Sequence, residues 1–240
     1  MDKFNVSAFK KLQFTLSITC NIVVKCFLYF INMANLFVIA APSGTGKTSL
    51  IKAMVSSHPN IKLAISYTTR KKRKNEEEGK DYFFVDRQKF LLMKDTGLFL
   101  ENAEVFGNLY GTEKKWVNNN ILQGIDIILE LDYQGALQIK KIYEAAILIF
   151  IIPPSLNQLG VRLRERALDS KVTIEKRLLE AKKEITYSNE FDFVLVNNEF
   201  DDCLQNLENL IIKKENPKKE QTSISEETRK FIMEEEGIIE

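Results

Sequence analysis

Short apolar runs separated by amphipathic segments set the rhythm of this chain. Leu36 to Ala40, Leu63 to Ile65, Ile125 to Leu131, Ala145 to Ile152 and Phe193 to Asn198 are apolar at most positions, not at alternate ones. That pattern predicts strands buried on both faces, as in the middle of an α/β sheet. Between them, Ser49 to Ser57, Glu113 to Gln123, Val172 to Tyr187 and Asp201 to Ile212 carry helical periodicity, with turn signals at His58-Pro59-Asn60 and Gly124. Leu156 to Ala167 adds an arginine-rich helix after the stop at Pro153-Pro154. Residues 66–112 break this rhythm. Tyr82 to Val85 is strand-like, Arg87 to Lys94 a short amphipathic helix, and Gly107 to Thr112 rich in turn residues, so the block reads as a small mixed-sheet insertion.

The two ends differ from the middle. Residues 1–32 hold an apolar stretch from Leu12 to Ile31 that superficially suggests a signal or anchor. Lys25 in its midst costs about 2.5–3.5 kcal/mol for insertion, and Leu12, Phe14, Leu16, Ile18, Cys20 and Ile22 alternate with strand period. Met33 stands directly before the first core strand, so residues 1–32 are read as an upstream artefact or disposable extension, with a weak membrane anchor as the rival. Residues 214–240 are a highly charged tail with a helix expected from Ser225 to Glu236. Residues 33–213 then form one domain, within which 155–180 is a candidate lid.

Composition narrows the partners. A chain of 240 residues with 45% hydrophobic and 28% charged residues has the make-up of a soluble globular protein, and a net charge of +1 provides no global field for nucleic acid or membrane. Cys20, Cys26 and Cys203 have neither metal-ligand nor disulfide spacing, which fits a reducing cytoplasm. His58, the one histidine, reads as a bystander. The oligomeric state stays open, a homo-oligomer included.

The chemistry starts at Asn35 to Leu50. An apolar strand runs into Ala41-Pro42-Ser43-Gly44-Thr45-Gly46-Lys47-Thr48-Ser49, where a helix begins. This is the strand, glycine-rich loop and helix order of a P-loop. Its backbone N–H groups and helix N-terminus form an anion site, with Lys47 for the β- and γ-phosphates and the Thr48 hydroxyl for Mg²⁺. Ala41 replaces the first glycine of the motif. It precedes proline, so an extended, negative-φ backbone is expected there. Arg70 and Arg73, three apart beside a Ser/Thr cluster, suit bidentate phosphate binding, whereas Lys71, Lys72, Lys74 and Glu76 to Glu78 read as a solvated loop. Glu130 and Asp132 end a central strand, where such folds hold Mg²⁺ and substrate acids; one of them equally well caps the next helix.

The segments APSGTGKTSL, SYTTRKKR, GKDYFFV, FLENAEVFGNLYGT, ELDYQGA, PPS, RLRER with EKRL, and VNN resemble, in order and spacing, the bacterial guanylate kinases from Met33 to about Lys213. The resemblance implies a three-layer P-loop fold with a central parallel sheet, a mixed α/β GMP-binding insertion and a helical lid. It implies transfer of a phosphoryl group from ATP to GMP or dGMP with Mg²⁺. Arg70, Arg73, Tyr82 and Tyr110 match the clamp on the GMP phosphate, Glu101 the guanine reader, and Ser66 and Thr112 its hydroxyl partners. Asp132 matches an acid facing GMP, and Glu130 stands where the family usually has aspartate, supporting Mg²⁺ through water. Arg162, Arg166 and Arg177 match lid arginines, with Ala167 in place of a glycine, and Asn197 matches a position near adenine. Two rivals remain: a non-catalytic module binding a phosphorylated peptide, which typically lacks the P-loop residues present here, and a sister P-loop kinase for another small phosphorylated substrate.

Overall fold

The computed structural model describes residues 34–165 and 170–214. The extension 1–32, Met33, Arg166, Ala167 and the expected tail helix lie outside the described residues.

Strand β1 (Leu36–Ala40) is the centre of the molecule. Its five residues alternate between two cores: Leu36, Val38 and Ala40 face one, Phe37 and Ile39 the other, and all are buried. A strand buried on both faces needs cover on both sides, which is what makes the fold three-layered. β1 pairs in parallel with β7 (Asp126–Leu131) and β8 (Ile147–Ile152), and the five-stranded sheet has the order β2-β7-β1-β8-β9, with β2 at Ile61–Leu63 and β9 at Phe193–Val196. On one face, helices α1 (Lys47–Ser57) and α7 (Phe200–Ile211) bury Leu50, Ile51, Met54, Cys203 and Leu207. On the other, α3 (Lys114–Leu122) and α4 (Tyr133–Ile142) bury Val117, Ala136 and Ile139. Each buried Leu or Ile side chain contributes roughly 1.5–3 kcal/mol.

The second sheet is mixed, β4-β3-β6-β5, formed by β3 (Tyr67–Thr68), β4 (Phe83–Phe84), β5 (Phe99–Val105) and β6 (Asn108–Glu113). Helix α2 (Arg87–Asp95), capped by Asp86 through the Lys89 N–H at 2.7 Å, closes a small core of Phe90, Phe99 and Leu109. Two sequence expectations change here. The turn-rich stretch from Gly107 to Thr112 is mostly strand, because β6 finds partners on both sides, β3 and β5. The turn proper is only Phe106-Gly107, with φ of 48° and 75°. Likewise β2 ends at Leu63 rather than starting there, since Ile61 to Leu63 register with Asp126 to Ile128 and leave Ala64 only a terminal bond to the Ile128 carbonyl.

Helices α5 (Leu156–Glu165) and α6 (Lys171–Thr186) pair through Leu159, Leu163, Ile174 and Ala181, with Ser170 capping α6 through the Thr173 N–H. A 3₁₀ turn, Tyr187–Glu190, leads back to β9. Order reverses around β1, whose sequence neighbours lie elsewhere in the sheet. The crevice beyond the carboxyl ends of β1 and β7 is therefore the natural ligand site.

Candidate active site

That crevice holds a cavity of about 350 Å³ walled by the loop after β1, the end of β7, the second sheet and α6. Gly44 and Gly46 give the loop its form, with φ of 96° and 100°, values that L side chains rarely adopt. A Cβ on Gly46 would also lie 2.7 Å from the Asn197 amide nitrogen. Apart from glycines, only Phe106 and Lys214 have positive φ among the described residues, so Ala41 takes the negative φ that its place before Pro42 favours.

The loop is braced from behind. The buried Asn197 amide donates to the Thr45 carbonyl at 2.6 Å, and Arg162 donates to the carbonyls of Thr45 (3.5 Å) and Asn198 (3.1 Å). Arg177 donates to the Ser43 hydroxyl at 3.0 Å. Lys47 lies across the sheet end, donating to the Leu131 carbonyl at 2.5 Å with the Glu130 carboxylate 4.0 Å away. Thr48 donates to Glu130 at 2.5 Å. These two hard oxygen donors converge on one point at the loop and could hold a divalent cation such as Mg²⁺. Asp132 caps α4, accepting from the Gly135 N–H at 2.9 Å, and still faces the cavity.

The opposite wall comes from the second sheet. Glu101 is only 3% exposed and accepts from Thr112 at 2.7 Å, and Thr112 is 3.2 Å from the Ser66 hydroxyl. Burial, helped by the Asp132 charge and opposed by Thr112, pushes the Glu101 carboxyl up to about 7. Burial also raises Asp132, despite its Gly135 bond and nearby Lys47. Arg70 lies 5.2 Å over the Tyr82 ring, whose edge meets Tyr110 at 5.9 Å. Burial lifts the Tyr82 phenol far above its usual range, keeping it a donor.

The cavity thus brings together Ala41, Pro42, Ser43, Gly44, Gly46, Lys47, Thr48, Ser49 and Arg177 with Ser66, Arg70, Arg73, Tyr82, Glu101, Tyr110, Glu130 and Asp132. Thr45, Thr112, Arg162 and Asn197 lie behind the wall. Arg166 falls outside the described residues.

Several residues that the sequence did not single out belong to the same site. Glu76, read above as part of a solvated loop, instead binds Arg70 bidentately at 2.6 and 3.0 Å and accepts the Arg73 N–H at 2.8 Å. Burial raises its carboxyl, but Arg70 and Arg73 outweigh that and lower it. An acid set three residues after one arginine and six after the other was the available signal. Gln138 on α4 donates to and accepts from the backbone of Asn102 at 2.8 and 3.2 Å, pinning β5 beside Glu101. Gly135 lies so close that a Cβ there would be 2.9 Å from Glu101 Oε2. Glu184 on α6 reaches the cavity, its carboxyl pushed up to about 7 by burial, with Asp132 adding and Lys47 opposing.

Residues 33–216 match the family described as guanylate kinase. The chain belongs to that family. The guanylate kinase of Coxiella burnetii is 48% identical over 180 residues, 75% of this chain and 87% of its own length, and that of Nitrosomonas europaea is 47% identical over 179 residues, 75% and 89%. The crystal structure of guanylate kinase from Anaplasma phagocytophilum superposes with a TM-score of 0.64 at 32% identity, covering 87% of this chain and 98% of that one. The cavity walls therefore consist of guanylate kinase segments on a guanylate kinase fold. No helix among the described residues is long and apolar enough to cross a membrane.

Proposed function

We propose that the protein is a guanylate kinase that transfers the γ-phosphoryl group of ATP to GMP or dGMP, in the cytoplasm. The observation that carries the acceptor is the buried Glu101 carboxylate in the same cavity as Lys47. Guanine offers N1–H and a 2-amino group, two donors for one carboxylate. Adenine offers an acceptor at N1 and no 2-amino group, which leaves the buried acid unpaired and is rejected by several orders of magnitude. Ser66 and Thr112 hold the carboxylate in place, while Arg70, Arg73, Tyr82 and Tyr110 take the GMP phosphate. Asp132 faces the GMP side.

The GMP phosphate oxygen is already a nucleophile, so no general base is required. Catalysis is alignment and charge neutralisation. Residues Ala41 to Ser49 cradle the ATP phosphates, and Lys47 follows the charge that moves to the β–γ bridge. Arg166 and Arg177 close over the phosphates, joined by Arg162 once it leaves the carbonyls it holds in the open site, and this also excludes water that would otherwise hydrolyse ATP. Asn197 holds the underside of the loop near the adenine. Thr48 and Glu130 would hold Mg²⁺, Glu130 through water, and the ion supplies further charge neutralisation on the phosphate oxygens.

A coupled assay with ATP against GMP, dGMP, AMP, CMP and UMP tests this. Turnover restricted to guanine nucleotides is expected. Turnover on a non-guanine acceptor alone would point to a sister kinase, and none on any acceptor to a binding module.

A further inference from the structure

Phe106 occupies a backbone conformation that its own chemistry disfavours. With Gly107 it forms the two-residue turn between β5 and β6, both at positive φ, 48° and 75°. Turns of this hand prefer Asn, Asp or Gly at the first position, and a bulky residue there is strained. Burial does not explain the choice, since the side chain is 57% exposed. Its ring instead faces the Arg177 guanidinium, 5.9 Å from the centroid. Arg177 comes from α6, a different element from the hairpin, and donates to Ser43 in the phosphate loop. Phe106 and Arg177 both line the cavity. A strained, exposed aromatic whose ring lies beneath a phosphate-site arginine is best explained by that arginine.

We propose that Phe106 is a positioning residue for the phosphoryl transfer: its ring supports Arg177, so that the tip of the acceptor-side hairpin aligns a donor-side arginine across the cavity. This rests on the reading of Arg177 as a phosphate arginine. The contact makes the acceptor sheet part of the donor site's geometry, and it acts on turnover, not on guanine recognition. GMP selection resides at Glu101, on the same hairpin but deep in the cavity, whereas Phe106 meets the donor side at the rim.

The experiment compares kcat, the two KM values and the melting temperature for Phe106→Leu, Phe106→Trp and Phe106→Asn. Loss of a partly exposed cation–π contact corresponds to a fall of about two- to fivefold in rate. Phe106→Leu should therefore lower kcat about threefold with both KM values within about twofold, and Phe106→Trp should retain wild-type kcat. Phe106→Asn gives the turn its favoured first residue, so its melting temperature should rise by about 2–4 °C while kcat falls as in the leucine variant. In an Arg177→Met background, Phe106→Leu should change nothing further. Wild-type kcat in Phe106→Leu, or an equal loss in the Arg177→Met background, overturns the role of Phe106. Absence of GMP turnover by the wild-type protein would instead overturn the function on which it rests.

Discussion

The two walls of the cavity are built on different principles. The donor wall is backbone: a loop whose glycines take left-handed angles, leading into the N-terminus of α1, with the side chains of Asn197 and Arg162 serving mainly to hold carbonyls in place. The acceptor wall is side chains: a buried acid, two hydroxyls, two phenols and two arginines, drawn from β5, β6 and the loops beside β3 and β4. A backbone site binds any triphosphate tail and reads little else. A side-chain site reads one base, and each member needs its own support, as Glu76 supports Arg70 and Gln138 supports the strand carrying Glu101. On the proposed function, phosphate binding is assigned to the first wall and selectivity to the second.

The sharpest way to break this division is Lys47→Ala. It removes the ammonium that the phosphate loop presents to the cavity and should lower kcat by roughly a thousandfold or more. GMP affinity by calorimetry should be nearly unchanged. A matching loss of GMP binding would mean that the walls are not separable.

Next is Glu101→Gln, which should reduce kcat/KM for GMP on the order of a hundredfold and compress the preference over AMP, with the ATP KM unchanged. Preserved selectivity against AMP would move the guanine reader elsewhere.

Glu76→Ala should raise the GMP KM roughly tenfold, since it frees Arg70 and Arg73 from their shared anchor. If Glu76 merely competed with the GMP phosphate for Arg70, the same substitution would lower that KM, so steady-state kinetics separate the two roles.

The smallest effect is in pH. Glu101 titrates near 7 in the folded protein because it is buried, above its ordinary value of 4.5. The folded state therefore holds the proton more tightly than the unfolded one. Its contribution to stability is full below about 4.5 and is lost as pH rises through about 7. Melting temperatures across that window should fall less steeply in Glu101→Gln than in wild type. Guanine donors favour the ionised carboxylate, so GMP binding near neutrality should release protons, seen as a buffer-dependent binding enthalpy.

Much of the donor wall was readable along the chain because its determinants are local. Positive φ selects glycine, a doubly buried strand selects an apolar run, and both lie within Leu36 to Thr48. The acceptor wall was readable mainly through resemblance to a family, because its groups are scattered from Ser66 to Thr112. Where local reading met tertiary pairing, it slipped. β6 looked like turn because Gly107, Asn108 and Gly111 are turn formers, yet ladders on both sides make it strand. Glu76 looked solvated because its neighbours are charged, yet folding sets it against two arginines.

The phosphate loop and the buried strands follow from residue chemistry over a few neighbouring positions, whereas the groups proposed to recognise guanine were named through the family resemblance. Which groups meet depends on how the elements pack. Asn197 reaches the loop from 152 residues away and Arg177 from 134, and the Phe106 ring meets Arg177 only because the hairpin and α6 face each other across the cavity. Contacts over such separations depend on how sheets and helices stack, and no local pattern encodes that.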